Sequence, residues 1–182
     1  MAELLNQQER KAMKRLAEEL GAAMSMEARG IDEEEQLQVR LQQQVDEGQL
    51  ARLPYLEAVM KESLRLHPPA STLLPHFCKE ETEVAGYRVP AKSMVVVNAW
   101  GMGRDESVWE NAHLFQPERF VAGGPDSHIM LGGPSNYQLL AFGRGWRGCP
   151  GRNLGLTMAS LVVANLVHSF NWDIDHGAST RR

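Results

Sequence analysis

Residues 142 to 151 read FGRGWRGCPG, ten positions that hold four glycines, two arginines, a tryptophan, a proline and one of the chain's two cysteines. Two chemistries fit this loop. Gly143, Gly145 and Gly148 spell G-x-G-x-x-G, the spacing of a turn that cradles phosphate, whereas Cys149 set among glycines suits a metal or haem ligand. The fold turns on which reading holds. A dinucleotide turn needs a strand before it and a parallel sheet around it; a thiolate site needs a helix behind the cysteine.

The nucleotide parts exist in outline. QLLAF (138–142) can form a strand, residues 152–170 a helix, and NWDID a second strand carrying an acid. Against this, Trp146 and Arg147 fill a turn meant for close backbone approach, Pro150 follows Cys149, and the sequence runs only to residue 182, too soon after Asp175 for further βα units. For the thiolate reading, a cysteine at a helix start faces free backbone N–H groups and the positive end of the helix dipole, which favour its anion. Glycines at 145, 148 and 151 let the backbone approach a large flat cofactor, and Arg147 can meet a carboxylate of that group. Taken alone, Cys149 also fits a small structural cysteine in a tight turn.

The 182 residues, 43% of them hydrophobic, suit one domain, or one and a piece, with a buried core. Nineteen Lys and Arg against 23 Asp and Glu leave a net charge of -4, so no general nucleic-acid surface is expected. No apolar run reaches the length of a membrane span, and the first residues are an amphipathic helix rather than a signal peptide. Cys78 and Cys149 lack the paired spacing of a zinc site, which fits a reducing compartment.

Leu5, Met13, Leu16 and Leu20 recur at near-helical spacing from Glu3 to Met26, predicting a core-packing amphipathic helix. DEEEQLQVRLQQQVDEG (32–48) reads as a solvated helix or a linker. PYLEAVMKESLRL (54–66) is a helix bracketed by Pro54 and the Pro68-Pro69 pair. Its apolar stripe is Leu56, Val59, Met60 and Leu64. Glu62 and Arg65 fall near the opposite side, where an exposed pair is worth little. AGYRVP and MVVVNAW predict an antiparallel hairpin. Residues 101–136 read as irregular coil whose aromatics Trp109, Phe115 and Phe120 pack on something. The helix after the cysteine loop is apolar around most of its circumference, which predicts burial on more than one side.

Together these segments resemble a known family. Phe142, Gly145, Arg147, Cys149 and Gly151 match the F-x-x-G-x-R-x-C-x-G signature of the haem-thiolate cytochrome P-450 monooxygenases. Glu62-Ser63-Leu64-Arg65 resembles the family's E-x-x-R motif, and Pro117-Glu118-Arg119-Phe120 its P-E-R-F motif. LPYLEAVMKESLRLHPP, GYRVP, NAWGMGRD and FQPERF resemble the plant microsomal branch, closely over residues 50–174 and loosely over 1–25.

The resemblance implies a fold that is mainly α with a small antiparallel β hairpin and long ordered coil, the C-terminal part of the cytochrome P-450 fold. Residues 1–30 would be the amphipathic helix, 31–49 a polar linker or solvated helix, and 50–182 an incomplete haem-thiolate domain. It implies haem b (iron protoporphyrin IX) with Cys149 as proximal iron ligand, Arg147 and His76 as propionate partners, and Phe142 near the sulfur. Gly145 and Gly151 belong to the same cradle. Glu62, Arg65 and Arg119 would form a buried ion network that fixes the coil around the haem. Trp100 and Asn98 would be packing residues.

The implied chemistry is oxygen activation: molecular oxygen is cleaved and one atom enters a small organic substrate. A flavin-containing reductase would dock near Arg144 and Arg152, and residues 69–74 are the local candidate for substrate contact. Full-length relatives of this type sit on the cytosolic face of the endoplasmic reticulum membrane. The chain resembles only about the last third of such an enzyme. A membrane anchor, a W-x-x-x-R element and the oxygen-activating helix with its acid-threonine pair are not found, Ala141 replaces a common proline, and the Glu/Gln-rich run lengthens the stretch before LPYL. The competing expectation is a truncated or degenerate product that keeps the motifs without haem. In either case the 182-residue chain alone is expected to lack turnover.

Overall fold

The computed structural model describes residues 2–25, 44–131, 137–170 and 172. Helix α1 spans Ala2–Ser25 and buries Ala12, Leu16, Leu20 and Met24, a stripe that repeats every fourth residue. Met13, expected in the stripe, is instead 37% exposed, and the Leu5 side chain lies outside the described residues. Most of the predicted 31–49 linker also lies outside them. Its end folds as a single turn, α2 (Glu47–Leu50), because Asp46 and Gln49 form a capping box, each side chain accepting the other's N–H at 3.0 and 2.9 Å.

Helix α3 (Pro54–Leu66) starts on Pro54 and ends where His67 donates to the Ser63 carbonyl. Leu53 and Leu56 pack with the α1 stripe, Val45 and Ala164 of the last helix, Arg152–Ser169. Asn165 ties that helix to Val45, accepting its N–H at 2.9 Å and donating to its carbonyl at 3.0 Å.

The β structure departs from the expected hairpin. β1 (His76–Phe77) pairs with β4 (Met94–Val95), and β2 (Thr82–Val84) pairs with β3 (Tyr87–Val89), both antiparallel. The strand at Tyr87 therefore turns back through Ala85 and Gly86 rather than forward to Met94. Both turn residues have positive φ, 50° and 84°, which suits a two-residue hairpin turn. Pro90, lacking an N–H, follows the end of β3.

After α4 (Ala99–Met102), the chain runs as turns to the 3-10 turn at Pro117–Phe120. A second cluster forms here from Ala58, Trp109, Ala112, Phe120, Ile129 and Leu139. α5 spans Arg152–Ser169 and is fully buried only at Ala164. Leu154, Met158 and Val162 are 70%, 55% and 53% exposed, so the expected burial on several sides is not observed. An all-round apolar helix needs a partner on each face, and the described residues cover one.

Candidate functional site

Glu62 and Arg65 of α3 are buried although they are charged. Glu62 and Arg65 are 0% and 1% exposed, which corrects the expectation of a weak surface pair. Arg65 clasps Glu62 by two bonds, Nε to Oε2 at 2.7 Å and Nη2 to Oε1 at 2.8 Å. Its remaining donors reach the carbonyl oxygens of Gly103, Ala112 and Leu114. Glu62 Oε1 also accepts the Gln116 N–H at 2.7 Å and Arg119 Nε at 3.4 Å. Arg119 in turn reaches Asp126, the Glu110 carbonyl and Gln116. The structure thus brings Glu62, Arg65 and Arg119 into one satisfied cluster that pins the surrounding coil. Gly103 is required beside it, because an added Cβ there would collide with the Arg65 carbonyl oxygen.

Beside this cluster lies a second one that sequence reasoning missed. Glu19 of α1 accepts the N–H groups of Tyr55 and Leu56 at 2.9 and 3.2 Å, capping α3 where Leu53 has no capping side chain. The Tyr55 hydroxyl donates to Glu118 at 3.1 Å, and Arg15 pairs with Glu118 while lying 4.3 Å over the Tyr55 ring. Burial, then the neighbouring Glu118 charge, pushes the Tyr55 hydroxyl well above its ordinary value. The fixed P-E-R-F text was the available signal, since Glu118 and Arg119 serve the two clusters from adjacent positions.

The cysteine loop stands apart from both. Cys149 N–H donates to the Phe142 carbonyl at 2.9 Å, Gly143 N–H to Leu140 at 2.8 Å, and Gly148 N–H to Gly145 at 3.0 Å. Gly143 and Gly145 have φ of 65° and 67°, left-handed values that favour glycine. Residues 138–142 form no strand, and the glycines lead into a 3-10 turn at Gly145–Arg147. All strand pairs among the described residues are antiparallel. Among the described residues the dinucleotide geometry does not form; NWDID, apart from Trp172, lies outside them.

The Cys149 thiol is exposed and unbridged, three residues before α5. A Cβ added at Gly145 would meet nothing within 4 Å, whereas one at Gly151 would sit 4.0 Å from the sulfur. Arg147 is exposed, as is Trp146. His76 is exposed on β1, in register with Val95. Asn98 caps α4 through Gly101 N–H at 2.9 Å, and Arg104 stacks 4.2 Å over Trp100. A soft thiol donor, open glycine backbone, an exposed cation and the apolar stripe of α5 fit a large flat apolar group with an anionic edge and a thiophilic metal.

The sequence profile of the cytochrome P-450 family matches residues 28–182. The chain belongs to the cytochrome P-450 family. It is 41% identical over 174 residues to cytochrome P-450 71C3 of Zea mays, covering 96% of this chain and 30% of that protein. Carnosic acid synthase of Rosmarinus officinalis is 44% identical over 138 residues, 76% of this chain and 26% of its own length. Geraniol 8-hydroxylase of Catharanthus roseus is 44% identical over 137 residues, 75% of this chain and 27% of its own length. The chain therefore spans less than a third of these cytochrome P-450 relatives. No helix among its described residues is long and apolar enough to cross a membrane.

Proposed function

We propose that this chain carries the haem-thiolate centre of a cytochrome P-450 monooxygenase, with Cys149 as the iron ligand of haem b. The observation that carries the reading is an exposed, unbridged thiol in a glycine loop, with the exposed apolar stripe of α5 following it. Arg147 and His76 supply the cations for the haem propionates. Phe142 packs near the sulfur, and Gly145 and Gly151 keep side chains out of the cradle. The start of α5 favours the anionic thiolate. The Glu62, Arg65 and Arg119 cluster holds the coil in place around the group. A haem bound there supplies oxygen activation, with the electron-rich sulfur favouring O–O cleavage.

The reaction class is insertion of one atom of molecular oxygen into a small organic substrate, which fits the hydroxylase and synthase names of the relatives. Residues 69–74 contact that substrate. A flavin-containing reductase delivers electrons at a face that includes Arg144 and Arg152. Residence at the cytosolic face of the endoplasmic reticulum membrane is part of this proposal only for full-length relatives of the plant microsomal type.

Full exposure of Trp146, within the loop itself, favours a second reading, a motif-bearing chain that holds no haem. One experiment separates the two. With haem supplied during expression, the reduced, carbon-monoxide-bound spectrum of the chain should show a thiolate-type Soret band that Cys149→Ser abolishes. A folded chain without that band supports the second reading. Substrate turnover by the 182-residue chain alone is expected to be absent.

A further inference from the structure

We infer that Trp109 and Leu139 are positioning residues that tie the cysteine loop to the buried ion network. The inference rests on the thiolate reading only for what the loop holds. Trp109 is 1% exposed, and both guanidinium groups of the network lie over its ring, Arg65 at 5.3 Å and Arg119 at 6.0 Å from the centroid. Cation and ring attract at such distances, and more strongly where water is excluded. The indole N–H donates to the Met102 carbonyl at 3.0 Å, and Phe120 meets the ring at 6.0 Å and 67°. Trp109 is thus held from several directions by the network and its coil.

The same apolar cluster contains Ile129 and Leu139, 0% and 5% exposed. Leu139 is the last anchor before the loop. From residue 140 to residue 163 no residue is fully buried, and the next buried one is Ala164, far along α5. The loop's backbone hydrogen bonds named above join residues 140–149 to one another, and Arg144 lies 4.0 Å over the ring of Tyr137, two residues before Leu139. Leu139 stands three residues before Phe142, whose carbonyl receives the Cys149 N–H, and adjoins Leu140, whose carbonyl receives the Gly143 N–H. The path from network to thiol therefore runs Trp109, the shared cluster, Leu139, then the loop.

Amide hydrogen exchange on the full chain tests this without haem. Leu139→Ala and Trp109→Leu should each speed exchange at Gly143, Gly148 and Cys149 about tenfold more than at residues 60–64 of α3, because a local anchor is lost rather than global stability. The double variant should match the faster single variant, since the two residues act in series. Trp109→Phe, which keeps a ring under the guanidinium groups, should give a smaller loop effect and guards against a Trp109→Leu chain that fails to fold. Equal acceleration in loop and helix, no acceleration, or a double variant equal to the product of the singles would overturn the inference. The Cys149→Ser spectrum judges the haem reading separately. A chain with the predicted exchange pattern and no Soret band keeps the inference and rejects that reading.

Discussion

Glu62 accepts four hydrogen bonds in a site closed to water, two from Arg65 and one each from Gln116 and Arg119. Its charge is the counterweight to two buried guanidinium groups. Glu62→Ala should therefore cost about 3–5 kcal/mol in urea unfolding, far more than an exposed pair, because it strands Arg65 and Arg119. Tyr55 makes a second residue-scale prediction. Its hydroxyl titrates above the ordinary value near 10 in the folded chain, owing to burial and then to Glu118, with Arg15 and Glu19 as the other charges facing it. Folding favours the protonated form, so this contribution is complete below the unfolded value of about 10 and is lost as pH rises through the folded value. The stability of the wild-type chain should fall across alkaline pH, and Tyr55→Phe should flatten that fall in a denaturant series.

Each element borrows a terminus or a face from another. α3 carries no capping side chain of its own and takes the Glu19 carboxylate from α1, two charge-assisted bonds at a dipole end. Glu19→Ala should destabilise by about 1 kcal/mol, the scale of a lost cap, read as a lower urea midpoint at unchanged slope. The hairpin shows why local pattern misplaced a partner. GYRVP and MVVV both have strand composition, but Ala85 and Gly86 supply the positive φ values that close Tyr87–Val89 onto Thr82–Val84. Met94–Val95 then pairs across a longer gap with His76–Phe77, which no short-range signal announces.

At the scale of the molecule two apolar clusters meet along α3. One takes Leu53 and Leu56 with α1 and Ala164, the other Ala58 with Trp109, Phe120 and Leu139. Beyond them, Leu154, Met158 and Val162 face solvent along α5. That stripe should drive self-association of the isolated chain. Sedimentation at increasing concentration should show it, and the pair Leu154→Glu with Met158→Glu should reduce it while changing unfolding free energy by only about 0.5 kcal/mol, as for exposed sites.

By itself the sequence determined the family and the helix at 54–66, because these rest on short spacings and punctuating Pro and Gly that act locally. Only the tertiary structure decided that Glu62 and Arg65 are buried. A helical wheel ranks faces by apolar content and cannot register that coil from residues 103 to 116 wraps the polar one. The same holds for Glu19, Tyr55 and Glu118, whose partners are brought together from distant parts of the chain. Leu139, in the possible strand of the nucleotide reading, is instead buried in coil beside Phe120 and Ile129. Local spacing names the residues of the thiol site; contacts between elements set where the thiol stands.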